Sequence, residues 1–188
     1  MSAILLNVKK ADTSNDNYDY ACSKFFGSPV IPGSLLDELK GELLFLMQIR
    51  LSDLASLDKD NILPHEGYLY FFIDVSEGEY NLRPVVKYSN EELDTIVDDF
   101  NDQTVGFEEF VNEYEISFSE CDDDSSGLKL LGVPNDWNYE GDSPKLLFQF
   151  DPLASDMGLF SYLDGFIYFF FGDDEKDFSQ VEIFEEYS

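Results

Sequence analysis

The sequence predicts an α+β fold that is mostly antiparallel β-sheet, built from an internal duplication with one or two helices between the halves. Three observations predict it. A glycine-opened aromatic run occurs twice, as Gly67-Tyr68-Leu69-Tyr70-Phe71-Phe72-Ile73 and as Gly165-Phe166-Ile167-Tyr168-Phe169-Phe170-Phe171. Such runs fit a pleated surface covered on both faces. Other landmarks recur around it in the same order, at an offset that falls from about 105 to about 98 residues, as shortened loops would cause. The clearest helical spacing lies between the two copies.

Taken in order, Ala3 to Val8 reads as a first strand and Asp12 to Tyr20 as a polar loop. Lys24-Phe25-Phe26-Gly27-Ser28-Pro29 opens the first copy, and its glycines and prolines impose turns through Gly33. Leu35 to Lys40 is one helical turn or a loop. Leu43 to Leu51 is a strand, and Ser52-Asp53 caps a short helical turn. The first aromatic strand follows, then a turn at Glu77-Gly78-Glu79 and a returning strand over 84–88. Asn90 is an N-cap, and Leu93, Ile96, Val97 and Phe100 share one face of a helix ending near Asn101. Phe107, Phe110, Val111 and Tyr114 allow a second short helix, and alternation from Tyr114 to Phe118 gives a half-buried strand. Lys129-Leu130-Leu131-Gly132-Val133-Pro134 then opens the second copy. Lys145–Asp151 answers Leu44–Arg50, with Gln149 matching Gln48, and Val181–Phe184 answers Pro84–Lys87. One domain over 1–188 is expected, with pseudo-repeats 24–88 and 129–187 joined by a helical, acidic segment 89–128.

The order Lys-x-x-Gly-x-Pro, a Leu/Phe-rich strand, then Gly-x-Leu-x-Phe-Phe resembles the YwqG-like family of bacterial proteins of unknown function. The stretches that carry it are Lys24–Pro29, Leu43–Leu51, Gly67–Ile73, Lys129–Pro134, Leu146–Asp151 and Gly165–Phe171. The resemblance implies an α+β fold with a duplicated antiparallel sheet and supplies no catalytic residues.

Forty acids against eleven Lys and Arg give a net charge of −29. A field of that sign repels nucleic-acid backbones and anionic lipids and favours cationic partners. No run of about 18 apolar residues is present to span a bilayer. Two cysteines, Cys22 and Cys121, suggest a reducing compartment, and the expected location is cytoplasmic. Phosphate-binding glycine motifs and a Gly-x-Ser-x-Gly nucleophile elbow are missing, so no catalytic residue and no cofactor are expected. Asp122 and Asp124 begin a calcium-loop pattern, but Val133 stands where its bidentate Glu belongs.

Fourteen acids and no Lys or Arg lie between Lys87 and Lys129. On the expected helix Glu91, Asp94, Asp98 and Asp99 form an anionic ridge, extended by Asp102; the plain alternative is a solvated face. Asp136 and Trp137 would add an aromatic hot spot, unless Trp137 caps the core. The leading expectation is a non-enzymatic acidic interaction protein, an immunity- or antitoxin-type inhibitor of a basic, toxin-like partner protein. The alternative is ligand binding or catalysis in a cleft between the halves, around Arg50, His65 and Arg83, which have no equivalents in the second copy.

Overall fold

The computed structural model describes residues 3–78, 81–98, 100–103, 110–135, 144–153, 157 and 165–186. Its strands are β1 (Ala3–Lys10), β2 (Lys24–Phe25), β3 (Val30–Ile31), β4 (Leu43–Arg50), β5 (Tyr68–Asp74), β6 (Arg83–Ser89), β7 (Thr95–Ile96), β8 (Tyr114–Cys121), β9 (Lys129–Leu130), β10 (Leu146–Phe150), β11 (Phe166–Phe170) and β12 (Glu182–Glu186). Helix α1 spans Gly33–Glu38, and short 3-10 turns occupy Leu51–Asp53, Asn101–Gln103 and Phe178–Gln180. The fold is mainly β, so the helical half of an α+β label does not hold among the described residues.

Ten strands form one antiparallel sheet in the order β12-β11-β10-β9-β1-β8-β2-β4-β5-β6, and β3 pairs with β7 in a separate ribbon. The order is balanced about the central β1–β8 pair. On each side a two-residue strand leads to a long apolar strand, an aromatic strand and an edge strand. The centre is crossed over, because β1 pairs with β9 and β8 pairs with β2.

Lysine, glutamine and tyrosine sit in register on each side. Lys24 faces Gln48 and Gln48 faces Tyr70; Lys129 faces Gln149 and Gln149 faces Tyr168. The glutamine and tyrosine grip the chain that follows each Gly-x-Pro. Val30 N–H donates to Gln48 Oε1 and Tyr70 O–H donates to the Val30 carbonyl. Asn135 N–H donates to Gln149 Oε1, and Tyr168 O–H to the Asn135 carbonyl. Just before each grip the backbone turns left-handed, at Phe26–Gly27 (φ 55° and 71°) and Leu131–Gly132 (φ 61° and 82°). At Gly27 a Cβ would fall 2.1 Å from Glu113 Cγ, so only glycine fits there.

The sheet closes over its own inner face. Phe71 on β5 and Phe169 on β11 are seven strand positions apart, roughly 34 Å on a flat sheet, yet their rings meet at 5.5 Å. Phe25 likewise reaches Phe148 at 6.1 Å. The main core fills this interior. On the outer face Phe45, Tyr70 and Phe72 pack under Leu35 of α1 and under Val97 and Phe100, and Leu146, Tyr168 and Phe170 form a further cluster on the opposite side.

The helix expected from Asn90 to Asn101 does not form. Thr95–Ile96 run extended beside Val30–Ile31, and Val97 N–H donates to the Pro29 carbonyl. Of the supposed helical stripe, Val97 and Phe100 cover the outer face while Ile96 is 48% exposed. Sheet pairing and an apolar surface to cover override a local spacing that suits a helix. The second helix expected around Phe107 falls mostly outside the described residues; Tyr114 belongs to β8.

Candidate functional site

The register that places Lys24 beside Gln48 also continues across the centre of the sheet, to Glu115 on β8 and Lys9 on β1. At the mirrored positions Lys129 is followed by Leu5 and Ser119. The first side of the sheet is therefore charged where the second is not. The chain between β1 and β2 folds across it.

Lys24 is fully buried and its Nζ donates to Glu113 Oε2 at 2.9 Å. The same oxygen accepts from Tyr18 O–H at 2.8 Å, and Oε1 accepts from Ser28 N–H at 2.8 Å. The rings of Tyr18 and Tyr20 lie over the ammonium, 5.8 and 5.3 Å from Nζ. Burial pulls Lys24 below the ordinary lysine range, and Glu113 opposes that pull. Burial raises Tyr18, as do its contacts with Cys22 and Glu113, so its phenol remains a donor. Tyr18 O–H lies 3.6 Å from Cys22 Sγ. Burial also pushes the Cys22 thiol up, against the opposing pull of Tyr18 and Lys24. The cluster thus holds a protonated phenol, a protonated thiol and a neutralised ion pair, a constellation suited to positioning the loop rather than to nucleophilic attack.

The second side is built differently. Lys129 is equally buried, but its Nζ donates only to the Asp123 carbonyl, at 2.8 Å, and no carboxylate pairs with it among the described residues. Where Glu113 packs on Gly27, Ala3 packs on Gly132. Burial pulls Lys129 down as well.

Arg50 adjoins the first cluster. Its Nε donates to Asp53 at 2.9 Å and its Nη1 to Asp19 at 2.8 Å. Burial would lower its pKa, but the two carboxylates outweigh that and raise it. A cavity of about 550 Å3 opens here, lined by Lys9, Lys10, Tyr18, Cys22, Arg50 and Glu115 among others. A smaller one of about 370 Å3 lies on the other side of the same loop, reaching Tyr20, Asp98, Val111 and Glu113.

The other residues named from the sequence are dispersed. His65 Nε2 lies 3.3 Å from Asp58, whose carboxylate also accepts from Ile62 and Leu63 N–H. Arg83 pairs with Glu77. Arg50 faces Tyr68 and Arg83 faces Asp74, at opposite ends of β5, roughly 20 Å apart. Neither His65 nor Arg83 lines the Arg50 cavity. Glu91 accepts from Ser34 O–H, and Asp94 accepts from Gly33 N–H and Thr95 O–H, so both fasten the start of α1. Asp98 lines the smaller cavity, and Asp102 is exposed. Asp99, Asp136 and Trp137 lie outside the described residues. Asp122 and Asp124 are exposed on a turn, and among the described residues no three His, Cys, Asp or Glu side chains gather to hold a metal ion.

Sequence reasoning passed over Tyr18, Tyr20, Lys24 and Glu113 as site residues. The available signal was a lysine at the head of two similar apolar stretches, Lys24-Phe25-Phe26 and Lys129-Leu130-Leu131. A family model described as "Domain of unknown function (DUF1963)" matches residues 23–120, which take in Lys24, Arg50 and Glu113 but neither β1 nor the strands from β9 onward. No curated protein matches the chain. Among the described residues, no helix is long and apolar enough to cross a membrane.

Proposed function

We propose, for a chain that belongs to the DUF1963 family of domains of unknown function, a non-enzymatic role as an acidic interaction protein that covers a basic partner protein. The specific form is an inhibitor of the immunity or antitoxin type, acting in the cytoplasm. The observation that supports it is where the cations are. Lys24 and Lys129 are buried, and Arg50, Lys59, Arg83, Lys87 and Lys145 are held in ion pairs. Few positive charges are left to offset the acids at the surface, where Asp98, Asp102, Asp122, Asp124 and Asp173 are exposed and form no ion pair among the described residues. A surface of that sign steers a cationic partner and repels an anionic one. Two free thiols suit a reducing compartment. Within the family we read the chain as YwqG-like, and its two sides as copies of one duplicated unit. The shared Lys-Gln-Tyr registers and the paired left-handed turns support that reading.

Affinity capture tests it. At about 0.05 M salt, where charges act over more than 10 Å, the protein should retain a basic protein that about 0.5 M salt releases. The Asp98→Lys/Asp102→Lys variant should retain less of it. Failure to capture any basic protein in a salt-sensitive way would remove the reading.

A further inference from the structure

The larger cavity carries charges of both signs that the protein itself leaves unused. Arg50 is committed to Asp19 and Asp53, and Asp12 accepts from Ser14. Lys9, Lys10 and Glu115 line the same wall and form no ion pair among the described residues. Lys9 and Glu115 face each other directly across β1 and β8, with Cβ atoms about 5 Å apart. In a chain with 40 acids and 11 bases, two neighbouring lysines without a carboxylate partner are unexpected. The mirrored positions hold Leu5 and Ser119, so this pair of opposite charges belongs to one side of the sheet alone.

We propose that this cavity binds a small zwitterion of the amino-acid or short-peptide class. Glu115 takes the ammonium group, and Lys9, on the same face of the sheet, takes the carboxylate. The net charge of −29 argues against an anionic ligand. A dianion would enter against the whole molecule's field, and the lining, in which Lys9, Lys10 and Arg50 are matched by Asp12, Asp19 and Glu115, is itself balanced in sign, as a zwitterion is. A volume of about 550 Å3 lies within the usual range for small-molecule sites. Tyr18 and the paired Arg50 brace the loop that walls the cavity, so the charges need little rearrangement on binding.

Isothermal titration of the full chain at low ionic strength tests this with four probes: glycine, glycylglycine, succinate and 1,4-diaminobutane. At least one of the first two should bind saturably, and which one distinguishes a free amino acid from a peptide. Succinate and the diamine should not bind. Lys9→Ala and Glu115→Gln should each weaken binding about tenfold, the effect of losing one charge-assisted hydrogen bond. Both variants should melt as the wild type does, since among the described residues neither side chain makes an ion pair. Binding of succinate or of the diamine in preference to the zwitterions would overturn the proposal. So would no saturable binding by any probe, or zwitterion binding that both variants leave unchanged. The titration is independent of the docking experiment, because it needs no protein partner.

Discussion

Replacing Lys24 by methionine removes one charge from the interior and keeps most of the side chain's length. Glu113, itself 6% exposed, is then left without its cation and keeps two hydrogen bonds, from Tyr18 O–H and Ser28 N–H. Removing one partner of a buried pair costs about 3–5 kcal/mol because the other charge is stranded. The two surviving donors place this case near the lower limit, about 3 kcal/mol. For a chain of 188 residues that lowers Tm by roughly 6–12 °C. Urea and thermal unfolding followed by near-ultraviolet circular dichroism at neutral pH would measure it. Adding Glu113→Gln should recover about 1–2 kcal/mol, since the carboxamide oxygen still accepts from Ser28 N–H, its NH2 can donate to the Tyr18 hydroxyl, and no charge is stranded. A Lys24→Met protein melting within about 2 °C of wild type would refute the reasoning, because a stranded interior carboxylate cannot be that cheap.

The same substitution at Lys129 should act in the opposite direction. Among the described residues that ammonium has one carbonyl acceptor and no ion pair, so Lys129→Met should stabilise by about 1–2 kcal/mol. Its native pKa is lowered by burial. Between that value and the unfolded value of about 10.4 the unfolded chain binds more protons, so wild-type stability gains with rising pH from this group and the variant lacks that gain. Burial pushes the Cys22 and Cys121 thiols up. Above about pH 8.5 the folded chain therefore keeps protons that the unfolded chain has released, and this contribution lowers stability as pH climbs toward the native values. Urea unfolding of a Cys22→Ala/Cys121→Ala variant across that range should show a shallower alkaline decline than wild type, and an unchanged slope would contradict it.

The long strands were readable because their physics is local. Leu43–Arg50, Tyr68–Asp74, Leu146–Phe150 and Phe166–Phe170 are dense in aliphatic and aromatic residues that suit a sheet covered on both faces. Gln48 and Gln149 were visible as matched landmarks, but not as the grips that hold Val30 and Asn135. The segment after Asn90 was misread because its spacing fits a helix, while what decides its shape is a partner strand some sixty residues earlier. The ion pair was hidden for the same reason. Glu113 stood among fourteen acids of one stretch, and nothing near it in sequence marks it as the counter-ion of Lys24, 89 residues away. The polar loop over Asp12–Tyr20 was recognised as a loop. That Tyr18 and Tyr20 roof an ammonium follows only from how the chain folds back over β2.

The exchange of strands at the centre of the sheet sets a timetable for biosynthesis. β1 is made well before both of its neighbours, β8 and β9, which begin only at Tyr114 and Lys129. As the chain emerges from the ribosome, β1 must wait unpaired until roughly a hundred further residues have followed it. Long-range pairing of this kind slows folding and lengthens exposure to aggregation. A fragment ending before Tyr114 would leave β1 without either of the strands it pairs with.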